Sequence, residues 1–204
     1  MPIPFTLEQQ NQIREKLFRA GIRLSRELGL QRMTVSKLAK EAGIAKGNFY
    51  LFFESKEEFI LALAAYDNEK LNEMLLKTLA GRQQMTTHEF FLFLREYFYS
   101  DYDFMGRLTI DDFMWINTHM DVSDAFDARN LLNLIKSLLP LVSDTREDID
   151  YGTVVNLIKS IYAMREHRAT MVQDSLDNSV ELILRLLEVY ISGKGKILEG
   201  EYVK

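Results

Sequence analysis

The 204-residue chain predicts an all-α fold. Three observations carry that prediction. Its three prolines are Pro2, Pro4 and Pro140, so nothing between Phe5 and Leu139 forbids helix. Leucine occurs 29 times against nine valines, a helix-leaning composition. No alternating strand pattern bounded by turn residues is present, and neither is an internal repeat or a low-complexity tract. With 47% apolar and 27% charged residues, the chain is long and apolar enough to bury a core.

About nine helices are expected. Thr6-Leu7-Glu8-Gln9 forms a capping box that opens the first, which runs on Ile13, Leu17, Gly21, Leu24 and Leu28 until Gly29 stops it. Thr34 caps a short second helix through Lys40, and Gly43 breaks the chain. A short third helix follows over Lys46 to Phe52. Ser55-Lys56-Glu57-Glu58 is a second capping box and opens a long helix to Leu79. Thr86-Thr87-His88-Glu89 is a third, ahead of a helix carrying Phe90, Phe91, Leu94, Tyr97 and Phe98. Further helices are expected near Leu108–Met120, Ser123–Leu139, Asp148–Ala169 and Asp174–Ile191, with Gly193 and Gly195 ending the last.

Residues 34–53 have the form of a helix-turn-helix. Ala39 supplies the small residue where two short helices cross. Gly43, four residues later, supplies the left-handed turn. Leu38, Ala42, Ile44, Phe49 and Phe52 fall where apolar residues must face the core. That leaves Lys46, Gly47, Asn48, Tyr50 and Leu51 on the outer face of the third helix. Lysine binds phosphate or guanine, asparagine can read adenine in bidentate fashion, and a tyrosine hydroxyl reaches phosphate. Gly47 permits close backbone approach. Thr34 and Ser36 open the second helix, and Lys56 sits in the first turn of the fourth, where helix ends favour phosphate. Charge agrees: the net charge is −5, yet residues 10–56 carry ten Lys/Arg and four Asp/Glu. A basic head on an acidic body suits a polyanionic partner, double-stranded DNA.

The stretch Met33-Thr34-Val35, Leu38-Ala39, Ala42-Gly43-Ile44, Lys46-Gly47, Phe49-Tyr50, Phe52 and Ser55-Lys56-Glu57, with Phe18 and Gly29, resembles the N-terminal signature of the TetR family of bacterial transcriptional regulators. The resemblance covers about residues 10–60. It implies a dimeric repressor on a palindromic operator, released when its C-terminal domain binds a small molecule. It also implies that Thr34, Tyr50 and Lys56 hold phosphates while the recognition helix reads bases. Two positions depart from the pattern. Ala45 stands where the family usually has a Ser or Thr cap, and Asn48 replaces a frequent Thr or Ser. The expected organisation is a helix-turn-helix domain over 1–54 and a ligand-binding and dimerisation domain over 55–204.

One helix-turn-helix buries too little surface for tight specific binding, so a twofold homodimer reading two half-sites is expected. Two apolar stripes suit its interface: Tyr151, Val155, Ile158 and Tyr162 on one C-terminal helix, and Val180, Ile183, Leu184, Leu187 and Ile191 on the other. The same stripes also suit the core of their own domain. In the middle of the chain, Phe98, Tyr102, Met105, Met114, Trp115, Phe126 and Met164 would line a pocket for an apolar or aromatic effector. Asn117, His119, Asn130 and Arg165 would orient it. A methionine-aromatic stripe of this kind is more often plain core packing than a pocket lining.

Other classes find little support. There is no cysteine, hence no disulfide or thiolate chemistry. His88, His119 and His167 lack metal-ligand spacing, and no phosphate loop or nucleophile elbow is present, so no catalytic residue, metal or cofactor is assigned. The acidic group Asp101, Asp103, Asp111, Asp112, Asp121, Asp124 and Asp127 reads as helix caps and solvated surface before it reads as a cation site. The longest apolar run, Phe59 to Tyr66, is too short to span a membrane, and residues 1–5 lack a signal-peptide start. No membrane partner is assigned, and the expected location is cytoplasmic.

Overall fold

Helix caps and breakers set the architecture. The structure, a computed structural model, describes residues 5–120 and 130–193. Among them are nine α-helices and, apart from one isolated parallel bridge between Met85 and Val142, no β-structure. In chain order these are α1 (Leu7–Arg32), α2 (Val35–Ala42), α3 (Lys46–Phe49), α4 (Lys56–Leu79), α5 (Thr87–Tyr99), α6 (Ile110–His119), α7 (Asn130–Leu138), α8 (Tyr151–Glu166) and α9 (Gln173–Ser192). The fold is all-α, as the sequence predicts.

The Thr6 capping box is formed: the Thr6 amide donates to Gln9 Oε1 at 2.9 Å and the Gln9 amide to Thr6 Oγ1 at 3.2 Å. Gly29 interrupts α1 at φ 73° and ψ 163°, and one further turn follows it. At the second box the Glu58 amide donates to Ser55 Oγ, but the Glu58 carboxylate takes the amide of Glu54. The third is complete between Thr86 and Glu89.

Among the boundaries that differ from expectation, three have a local cause. First, α3 ends at Phe49 and continues to Phe52 only as tight turns. Ala45 offers no side-chain cap, and Gly47 weakens so short a helix. Second, α6 begins at Ile110 because Thr109 and Asp112 form a capping box that the expected start near Leu108 did not take into account. Third, α8 begins at Tyr151 because Asp150 accepts the amides of Gly152 and Thr153. The expected helix start at Ser123 lies outside the described residues.

The described residues fall into two compact units, residues 5–71 with 100–120 and residues 72–99 with 130–193. The first is built on Leu17, Leu38, Phe49, Phe53, Phe59 and Leu63, all at most 2% exposed. Phe59 is its centre. Its ring lies 5.1 Å from Phe53, 5.7 Å from Phe49 and 6.0 Å from Phe18. The expected boundary between residues 54 and 55 therefore falls inside this core, because Phe59, Ile60 and Leu63 of α4 and Ile116 of α6 belong to it. In the second unit α5 packs on α9, and α8 on α7 and α9, burying Phe90, Phe93, Phe98, Ile158, Leu184 and Leu187. Asp144 fastens the start of α5, accepting the Thr87 amide at 2.5 Å.

Candidate nucleic-acid interface

The helix-turn-helix is built from its turn outward. Thr34 caps α2 by accepting the Lys37 amide at 3.3 Å. Gly43 takes φ 72° and ψ 32°, and its amide bonds the Lys40 carbonyl while Ile44 bonds Ala39. Ala39, 1% exposed, lets the chain cross closely there. Phe49 and Phe53 then anchor α3 from below. Phe52, expected inward, is only half-buried and lies 6.1 Å from Phe5. Phe53 takes the inner place one helical turn beyond Phe49, its amide donating to the Phe49 carbonyl at 3.1 Å.

The outer face that results is polar and open. Lys46, Gly47, Tyr50 and Leu51 are exposed, and Asn48 is half-buried. No atom lies within 4 Å of where a side chain at Gly47 would begin. Tyr50 keeps its ring edge-on to Phe49 at 5.5 Å, so its hydroxyl projects from a fixed base. Thr34 and Ser36 are exposed at the start of α2. A small polar surface with one lysine, backed by the buried Phe49 and Phe53, has the chemistry to meet phosphates and base edges.

Lys56 is the exception among the DNA-binding candidates. Its Nζ turns inward, donates to the Leu30 carbonyl at 2.5 Å and sits 4.1 Å over the Trp115 ring. Burial pushes its ammonium below the usual lysine value, opposed by the nearby Glu57 and Asp112 carboxylates. Beside it, Asp112 accepts the Leu30 amide at 2.6 Å. Sequence reasoning missed this cluster. The spacing Thr109-Ile110-Asp111-Asp112 was the available signal, since it marks Asp112 as a capping residue.

The other candidates separate. Phe98, Asn130, Met164 and Arg165 belong to the second unit, and Tyr102, Met105, Met114, Trp115, Asn117 and His119 to the first. Phe126 lies outside the described residues. Phe98 is buried against Tyr162, and Arg165 donates to the Phe98 carbonyl at 2.8 Å. Met114, Asn117 and His119 are exposed on α6, with the His119 ring stacked on Trp115 at 4.6 Å. The residues expected at the dimer interface differ in exposure within the single chain. Val155, Ile158, Val180, Leu184, Leu187 and Ile191 are at most 6% exposed, covered by their own unit, while Tyr151, Tyr162 and Ile183 are half-buried. Of the acidic group, Asp101 pairs with Arg26, Asp103 with Arg107, and Asp112 caps. Asp121, Asp124 and Asp127 lie outside the described residues.

Comparison with known proteins accords with this geometry. Residues 17–63 match the model of bacterial regulatory proteins of the tetR family. An uncharacterized HTH-type transcriptional regulator of Bacillus subtilis, YvdT, is 40% identical over 68 residues, 33% of either chain. The matches span a third or less of the length of the curated relatives. Among solved structures, a TetR-family regulator from Rhodococcus sp. superposes with a TM-score of 0.62 at 12% identity, over 89% of this chain and all of that one. FadR of Bacillus subtilis, solved with stearoyl-CoA, gives 0.51 at 19% identity over 87% of this chain and 98% of that one. No helix among the described residues is long and apolar enough to cross a membrane. Residues 17–63 thus carry a helix-turn-helix that matches the tetR family in sequence, and the chain as a whole is similar in fold to solved regulators of that family.

Proposed function

We propose that the protein is a transcriptional repressor that binds a palindromic operator as a homodimer and releases it when a small apolar or aromatic effector binds. The observation that carries this reading is the exposed face of α3, with Lys46, Gly47, Tyr50 and Leu51 outward on a base fixed by Phe49 and Phe53. Selection of bound fragments from random duplex DNA tests it. A palindrome with half-sites about one helical turn apart is the expected product. Failure to enrich any sequence, in dilute buffer with no effector, would remove the reading. On the selected operator, Lys46→Ala and Tyr50→Ala each lower affinity about tenfold for all sequences. Lys46→Ala also reduces the salt slope by about one for each phosphate the lysine neutralises. Asn48→Ala instead changes which base is preferred, since base edges rather than phosphates carry sequence.

The effector reading rests on the Met- and aromatic-rich middle of the chain and on the long acyl ligand of the FadR relative. Calorimetry with a bound effector should show operator affinity falling by a coupling of about 1–3 kcal/mol. For the dimer, the available surface on α9 centres on Leu182, which is 70% exposed, with the half-buried Leu186 and Val189 along the same stripe. On α8 the exposed Asn156, Ser160 and Ala163 are small enough for close helix approach. Leu182→Glu should convert the dimer to monomer in sedimentation and lower operator affinity. A dimer undisturbed by that charge would place the interface elsewhere.

A further inference from the structure

After Gly29 breaks α1, the chain must restart its hydrogen bonding inside a core. Leu30 is fully buried, so both its backbone groups need partners there. They receive them from two other helices. Asp112 of α6 accepts the Leu30 amide at 2.6 Å, and Lys56 of α4 donates to the Leu30 carbonyl at 2.5 Å. The two side chains are themselves tied. Asp112 also holds the Thr109 amide at 3.1 Å, and Lys56 lies on the face of Trp115, three residues along α6. Four residues after Leu30 comes Thr34, the cap of α2. Whatever fixes Leu30 therefore fixes where the helix-turn-helix begins.

We propose that Lys56 and Asp112 are positioning residues of the DNA-reading head, gripping Leu30 from α4 and α6, and that Lys56 does not serve as a phosphate ligand. This rests on the DNA-binding reading above. It departs from the role that the family resemblance gives to Lys56. The position of α6 then sets the position of α2 and α3 through Trp115, Lys56 and Leu30. An ammonium placed between a carbonyl and an indole face is well satisfied, and drawing it out to a phosphate would leave the buried carbonyl without its donor.

Salt dependence separates the two roles, because the slope changes only when a side chain that neutralises a phosphate is removed. On the selected operator, Lys56→Met should lower affinity about tenfold with the salt slope of the wild type. Lys46→Ala is the comparison, losing slope as well as affinity. Trp115→Leu is the second variant and leaves Lys56 in place. It should weaken operator binding, again at unchanged slope, and its effect should not add to that of Lys56→Met. Both are measured well below their unfolding temperatures, where a residue that serves stability alone leaves affinity unmoved. A reduced slope in Lys56→Met, or stronger binding in Trp115→Leu as the lysine is freed, makes Lys56 a phosphate ligand and overturns the proposal. Unchanged affinity in both folded variants overturns it too. If the wild type binds no duplex at all, the function itself falls, and this inference falls with it.

Discussion

Phe59→Ala is expected to destabilise the first unit by about 3–5 kcal/mol, the range for removing a fully buried phenylalanine ring. Three aromatic neighbours lose their partner at once, Phe18, Phe49 and Phe53, at centroid distances of 5.1 to 6.0 Å. The site cannot collapse easily. Across it lies Gly21 of α1, where even an added methyl would meet the Phe59 ring at 2.6 Å, so α1 already approaches α4 as closely as the ring allows. Removing the ring leaves a void beside Gly21, where the buried Leu63 side chain already stands 3.0 Å from the same added methyl. Phe49 and Phe53 are the base of α3, so the loosened core should abolish operator binding although Phe59 touches no DNA. Trp115, the single tryptophan, belongs to the same unit and reports its unfolding by fluorescence. A denaturant midpoint close to that of the wild type would show that Phe59 is not the centre of this core. Phe52→Ala provides the contrast: its half-buried ring should cost only about 1 kcal/mol.

Local chemistry made much of this legible from sequence. Caps and breakers act within a few residues, so Thr6, Thr34, Gly43 and Thr86 placed helix ends that the structure reproduces. The helix-turn-helix was legible for the same reason. Its constraints at Ala39, Gly43 and Phe49 lie within eleven residues of one another. The inward turn of Lys56 was not legible, because its partners, Leu30 and Trp115, are far away in sequence. A lysine in the first turn of a helix looks outward until the chain that covers it is known. The stripes on α8 and α9 left two readings open for a different reason. A helix buried on a broad face shows the same spacing whether a partner chain or its own unit covers it, and here Leu184 and Leu187 meet their own unit.

Gly29→Ala is expected to be far more damaging than Gly43→Ala, although both glycines carry positive φ. Gly43, at φ 72° and ψ 32°, occupies the left-handed helical region, which other residues enter at a cost of about 1 kcal/mol or slightly more. Nothing lies within 4 Å of the methyl that Gly43→Ala would add. Gly29, at φ 73° and ψ 163°, occupies a region open essentially to glycine alone, with strain of about 1–3 kcal/mol for any other residue. A methyl there would also stand 3.2 Å from Asp112 Oδ1, the atom that accepts the Leu30 amide. Pushing that oxygen aside strips a buried amide of its acceptor, adding about 1–3 kcal/mol. Thermal unfolding of the two variants should therefore differ by several degrees at least, Gly29→Ala being the lower. Operator affinity, read below both transitions, should fall in Gly29→Ala and hold in Gly43→Ala, because only the first displaces the chain that leads into Thr34. Equal melting temperatures would mean that α1 passes through residue 29 without the break, and the grip on Leu30 would then have no reason to exist.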